Sequence, residues 1–538
     1  MKKKIADFGP YLLLGLAFLL LLFLNIFNHD NWLDSDMAAE MMFSKLLSEE
    51  GQVFATKNWY YSTEFRFLYT QLIMAPLFRI TDNWHVIRAI TNVVTYVLMV
   101  GGYFYMMKPF KVNTKWTAFT ATVLLLPFSE TMITHMQMGN TYMPHVIILF
   151  FFFGMFLRLV KRSEYRRGRI LWMMLCYVAL GIICGVSGVR YLLAMQCPLV
   201  LAAFLYLLGS EEFGQFRADF GSAEKTPGRG LGKVLKCDRA SYLYISLLGL
   251  VSSCVGYLLN VAWVSKQYVF QTYDATNFIA VYQGILLERL QNAFGSLIML
   301  FGYIPNKGFL SLRGIISMIS FVLIAVLAYC VVRVYKQAVG QRFFVALFVA
   351  VAFALNVFVF VFTTSTMVPR YYITILIFVL PVLAFYLDGK ELLFDKWVII
   401  FVLVACLGLS SAKITLSYLS ADKNKEERPV AEFLMENGYH FGYASYWNAN
   451  ILTELTNGAV EVANVLNPES LEYFKWSSPM KYYEDGYAQG EVFLLVTREE
   501  MAEYGDSAAI KKGEQVYQDA NYTVFVFGST EELMSCAQ

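Results

Sequence analysis

Two carboxylates, Asp34 and Asp36, stand one residue apart just after the first long apolar run, in the segment HDNWLDSDMAAEMMF. A carboxylate held at a membrane surface can orient an acceptor hydroxyl and take its proton. The same residues also suit a plainer task, because Asp and Ser are good helix N-caps and acidic groups favour helix N-termini. A D-x-D pair can in addition hold a divalent ion between its carboxylates. The cationic counterparts are Arg370 in TMVPRYY and Arg190 in GVSGVRY, where Gly185 and Gly188 let the backbone turn sharply. A guanidinium can grip a phosphate with two hydrogen bonds and offset charge gathering on a leaving group. At the end of a span it can equally snorkel to the lipid headgroups.

Further polar candidates cluster near these four. Glu40 follows the D-x-D pair by one helical turn, and NWYYSTEFR sets Trp59, Tyr60 and Tyr61 beside Glu64 and Arg66. Aromatic rings stack on sugar faces, but they also line membrane interfaces. The loop SETMITHMQMGNTYMPH offers His135, Asn140, Tyr142 and His145. Imidazole is the side chain most easily tuned near neutral pH, although surface polarity alone accounts for many histidines.

These residues need elements to position them, and the composition says which kind. Of 538 residues 57% are hydrophobic and only 16% charged. The apolar residues gather in runs of roughly 17–25, the length that crosses a bilayer core as a helix. Eleven such spans are expected, at about 8–27, 86–107, 116–130, 142–160, 170–186, 191–208, 241–262, 313–333, 343–362, 371–387 and 397–418. The stretch 285–304 reads as a membrane-hugging helix. The N-terminal MKKK run resembles the start of a signal peptide, but the apolar run after it is too long and no small-residue cleavage site follows, so it reads as a retained first span.

Charge orients the bundle. With the N-terminus inside, the inner segments hold 23 Lys and Arg against 11 in the longer outer loops. The expected topology is N-terminus cytoplasmic and C-terminus outside, with long extracytoplasmic loops at 28–85 and 263–312. All five histidines then lie outside. The domain plan is a membrane part over 1–419 and an extracytoplasmic soluble domain over 420–538. That tail holds 20 Asp and Glu against 8 Lys and Arg, and alternates helix-like with strand-like segments, as a small α/β module does.

Several functions are disfavoured. Span interiors hold almost no Asp, Glu, Lys or Arg, which counts against a carrier driven by protons or sodium. No GxGxxG or Walker sequence occurs, and no basic excess with interleaved aromatics suggests nucleic acid. The eight cysteines form no CxxC pair, so neither a zinc cluster nor a disulfide framework is indicated.

One span followed by a long outer loop opening D-x-D-x-A-x-E resembles the GT-C superfamily of membrane glycosyltransferases. Its members include protein O-mannosyltransferases and the aminoarabinose transferases that modify lipid A. The resemblance implies a GT-C-like helical membrane fold and transfer of a sugar from a polyprenyl-phosphate donor. The acceptor would be an extracytoplasmic glycan, lipid or protein at a bacterial plasma membrane. It places the catalytic acid at Asp34 or Asp36, and the family's acidic-x-x-x-x-Ala-Glu spacing over Asp34, Ala39 and Glu40 favours Asp34. It gives the donor phosphate to Arg370 and Arg190, with Glu40, Tyr61, Glu64, His135, Tyr142 and His145 lining the substrate site. No cofactor is expected to be required, though a D-x-D pair leaves a divalent metal open. The rival expectation is a transporter or flippase of a lipid-linked glycan.

Overall fold

The computed structural model describes residues 2–139, 141–220, 227–271, 276–281, 284–308, 310–389 and 393–537, so Asn140 and parts of the 263–312 loop lie outside the described residues. Among the described residues nine helices are long and apolar enough to cross a membrane, and two bent pairs bring the number to eleven. Each of the eleven apolar runs falls on one of these helices or pairs. The third run is the short one: Thr114–Leu125 ends before Pro127 and turns by 92° into Glu130–Met138. Proline lacks the N–H that would continue the helix and pushes the preceding residue, Leu126, to extended backbone. The stretch near 285–304 forms the helix Leu286–Leu300. At 15 residues it is about 22 Å long, well short of the ~30 Å hydrocarbon core.

Close packing of small residues joins the fifth and seventh spans, Arg167–Val186 and Ala240–Leu259. A Cβ on Gly185 would strike the backbone of Ser253, and one on Gly256 would strike that of Ile182. In a membrane, where apolar surface gains little from leaving lipid, such backbone approach supplies much of the association. Just past this seam Gly188 takes φ +115, which only glycine adopts freely, and the chain reverses to present Arg190.

The long loops and the tail gather at one end of the bundle. A three-stranded sheet runs in the order β2 (Val269–Phe270), β1 (Trp59–Tyr61), β5 (Ser478–Pro479). It therefore stitches both long loops to the tail. The tail is a five-stranded mixed sheet in the order β4 (Glu461–Val465), β3 (Phe441–Ser445), β6 (Val492–Thr497), β8 (Tyr522–Phe527), β7 (Glu514–Gln518). Edge strand β7, EQVYQ, has little apolar pattern and is not apparent in the sequence. One face of this sheet packs on Val430, Leu434 and Leu452 from the helices Glu427–Glu436 and Tyr446–Leu455. The other face packs Tyr443, Leu494 and Phe525 into one core with Met41, Trp59, Phe65 and Trp84 of the first loop and second span.

A buried ion pair fixes this junction. Arg88, in the second span (Trp84–Met107), donates from Nε and Nη2 to the two Glu454 oxygens at 2.8 and 2.7 Å. Its Nη2 also donates to the Met37 carbonyl of the first-loop helix Ser35–Glu49 at 3.0 Å. Both side chains are sealed from solvent. Removing one partner strands a buried charge, which typically costs about 3–5 kcal/mol, whereas replacing both with apolar groups can be near neutral. Arg88→Met and Glu454→Gln should therefore each lower the melting temperature in detergent more than the double variant Arg88→Met/Glu454→Leu does. Equal or additive losses would contradict this role for the pair.

Candidate active site

A polar cleft of ≈ 190 Å³ opens between the first loop, the Arg190 turn, the Arg370 turn and the tail. Its lining includes Asp36, Glu40, Tyr61, Glu64, Tyr142, Arg190 and Arg370. Asp34, His135 and His145 are not in the lining.

Helix geometry separates the two aspartates. Asp34 is the N-cap of Ser35–Glu49, with extended backbone and its Oδ1 accepting from the Met37 N–H at 2.8 Å. Two residues on, Asp36 sits in the first turn and faces the cleft. Its Oδ1 accepts from the Tyr446 hydroxyl of the tail at 2.7 Å. Glu40, one turn further, accepts from Arg66 at 2.9 Å, Tyr69 at 2.8 Å and Thr70 at 3.3 Å. Burial pushes the Glu40 carboxyl up to about 7, against the pull of Arg66 and Tyr69. Three donors occupy Glu40, whereas one hydroxyl holds Asp36.

On the cationic side Arg190 donates to Glu64 at 2.7 Å and lies 4.9 Å from the Tyr142 ring centroid. Burial opposes its charge, yet Glu64 and Tyr142 hold it above the ordinary arginine value. Arg370 stands in a tight 3-10 turn, Pro369–Tyr372, 5.9 Å from the Tyr371 ring centroid. Among the described residues, four buried polar atoms around the cleft have no hydrogen-bond partner: Glu64 Oε2, Arg66 Nε, Tyr142 OH and Arg190 Nη1. Buried polar atoms are rarely left so, and a polar ligand in the cleft would satisfy them.

The histidines stand behind or beside this wall. His135 lies edge-on to Tyr142, centroids 6.2 Å apart, and its carbonyl accepts from the Tyr142 N–H. His145 is buried behind Tyr142 and its Nδ1 meets the Tyr191 hydroxyl at 2.6 Å. Sequence reasoning missed what the tail supplies. Tyr446 reaches Asp36 from 410 positions along the chain, and Trp476 and Ser477 complete the rim. No local spacing marks these residues.

Adjoining the Arg370 turn, a second and apolar groove of ≈ 340 Å³ runs between spans, lined by Leu297, Leu300, Leu327, Phe353, Tyr372 and Ile375 among others. Tyr371 faces the polar cleft and Tyr372 the groove, so the two meet at consecutive residues. Among the described residues the D-x-D pair belongs to no group of three His, Cys, Asp or Glu side chains with ligand atoms in mutual reach.

No protein-family model and no curated protein sequence matches the chain. Solved structures do. ArnT from Cupriavidus metallidurans in the apo state aligns with a TM-score of 0.56 at 11% identity, covering 99% of both chains. The same protein bound to undecaprenyl phosphate aligns at 0.54 and 13% identity, over 96% of this chain and 98% of that one. The oligosaccharyltransferase of Archaeoglobus fulgidus gives 0.47 at 12% identity, over 90% of this chain and 67% of its own. The chain thus has an ArnT-like fold.

Burial pushes the Asp34 carboxyl up to about 6, and the neighbouring Asp36 charge adds to the effect. The folded protein then keeps a proton that the unfolded chain releases above its ordinary value of 3.8. The stability so contributed is whole below that value and is lost as pH rises through about 6. Asparagine caps a helix as well as aspartate does, without titrating. Asp34→Asn should therefore gain stability relative to the parent between pH 4 and 7, on the order of 1–2 kcal/mol, read from melting temperatures. A pH-independent difference would contradict the shift.

Proposed function

We propose that this protein is a glycosyltransferase that moves a sugar from a polyprenyl-phosphate donor to the hydroxyl of an extracytoplasmic acceptor. The observation that carries the reading is the meeting of Asp36, Arg190 and Arg370 in one polar cleft that abuts an apolar groove. A lipid-phosphate sugar has these two halves. Its apolar tail suits the groove along Leu297 and Leu327, and its phosphate suits the guanidiniums. That ArnT, with the same fold, binds undecaprenyl phosphate supports the assignment. The excess of Lys and Arg in segments at the opposite end supports placing the cleft outside the plasma membrane, with the N-terminus cytoplasmic.

In this reading Arg190, positioned by Glu64, and Arg370 neutralise the donor phosphate. Asp36, held by Tyr446, orients the acceptor hydroxyl and takes its proton as the oxygen attacks the anomeric carbon. The bond from that carbon to the phosphate oxygen breaks, and polyprenyl phosphate leaves with its negative charge stabilised by the two arginines. A single displacement inverts the anomeric configuration, unlike the two-step route of retaining glycosidases. Asp34 holds the helix that aims Asp36, and Tyr61 and Tyr142 offer ring faces for the sugar.

Transfer from a radiolabelled polyprenyl-phosphate sugar tests the roles. Asp36→Asn should lower the rate by about 10²–10⁴-fold, the usual contribution of a general base. Arg370→Ala should weaken use of the donor, and Asp34→Asn should keep most of the activity. Full activity of Asp36→Asn contradicts the assignment. Movement of the lipid across vesicles with no sugar transfer would instead establish a flippase.

A further inference from the structure

Away from the cleft, at the mouth of the first two spans, three side chains that the proposed reaction does not use converge. Among the described residues, His29, Asp30 and His85 alone form a group whose nitrogen and oxygen ligand atoms all lie within 4.8 Å of one another. His29 Nε2 is 2.7 Å from Asp30 Oδ1, and His85 Nδ1 is 2.6 Å from Asp30 Oδ2. The two rings are stacked, with centroids 4.2 Å apart. His29 is 2% exposed, while Asp30 and His85 keep about a third of their side-chain surface open to solvent.

The far nitrogens decide what the near ones can be. His29 Nδ1 faces the Asn25 carbonyl at 2.5 Å, and His85 Nε2 faces the Ile26 carbonyl at 3.0 Å. A carbonyl oxygen can only accept, so each far nitrogen carries the hydrogen. In a neutral imidazole this leaves both near nitrogens as lone pairs aimed at one carboxylate. Two additional protons would relieve the clash only by stacking two cations ring on ring, one of them buried. One divalent cation carries the same charge and sits where both lone pairs and the carboxylate point. Metal-bound histidines typically donate their other N–H to a backbone carbonyl, as both do here.

We infer that His29, Asp30 and His85 form a binding site for a divalent transition-metal ion, separate from the sugar-transfer cleft. Two imidazoles and one carboxylate are a donor set that zinc favours, with a fourth position left to solvent. Ligation asks each nitrogen–oxygen separation to widen to about 3.3 Å, the edge of a tetrahedron with bonds of 2.0–2.1 Å. Asp30, with about a third of its side-chain surface open to solvent, is a ligand with room to shift. The site sits at a junction of segments: the Asp30 carbonyl accepts from Asn424 at 2.8 Å and Arg428 at 3.2 Å, and the Asn31 carbonyl accepts from the Lys423 N–H at 2.8 Å. A metal here clamps the first and second spans to the segment that leads into the tail.

The test uses the full chain in detergent, stripped with chelator, loaded with zinc chloride and desalted. Elemental analysis should find close to one zinc per chain, falling at least fivefold in His85→Gln and Asp30→Asn but not in Asp36→Asn. His85→Gln retains a side-chain amide to meet the Ile26 carbonyl. The parent chain loaded with cobalt should also show visible absorption stronger than that of the aqueous ion, a reading that needs no variant. Zinc retention near zero, equal retention in parent and variants, or a cobalt spectrum like the free ion each overturn the site.

Discussion

The Arg88–Glu454 pair, with its third bond to the Met37 carbonyl, is the constraint on which the arrangement turns. It joins a membrane span, the tail and the first-loop helix at a single buried point. Charges so removed from water are tolerable only while every partner stays in place. The pair therefore selects one relative placement of three elements that share little chain proximity. Ser35, whose hydroxyl donates to the Tyr446 carbonyl at 2.6 Å, locks the same contact from the other side. Tyr446 is then in position to hold Asp36. The cleft is thus a property of the junction and not of the first loop alone.

Within the cleft, opposite charges are kept apart as working groups by being tied to different partners. Glu40 is tied to Arg66, Tyr69 and Thr70, and Glu64 is tied to Arg190. Asp36 is left as the cleft carboxylate held by a hydroxyl instead of a guanidinium, and Arg370 as the guanidinium near the groove. A low-dielectric site strengthens each of these interactions and penalises any left unmade. The unpartnered atoms on Glu64, Tyr142, Arg66 and Arg190 accordingly mark where a polar substrate belongs.

The membrane architecture was legible because a span needs some twenty apolar residues in a row, a pattern that survives any tertiary context. The same rule has less to say about Thr114–Leu125, where Pro127 ends the span early and the chain turns aside. In the first loop the sequence singles out Asp34 and Asp36, and the family spacing favours Asp34, whereas the role proposed above falls to Asp36. Capping takes Asp34 because the N-cap side chain folds back onto the N–H groups of its own helix, while the first-turn residue Asp36 points away. The aromatic and hydroxyl residues that the tail lends to the cleft carry no local signature, since they reach it only through the fold. The same holds for His29 and His85, read as two of five outward histidines until the two helices bring their rings together.

The central claim is that the cleft and groove together hold a lipid phosphate. A cryo-electron microscopy structure of the chain in nanodiscs with added undecaprenyl phosphate addresses it directly. The account requires phosphate density between Arg190 and Arg370 and a continuous lipid tail passing Tyr372 into the groove beside Leu297 and Leu327. A lipid bound elsewhere, with the cleft arginines facing only solvent, would contradict it.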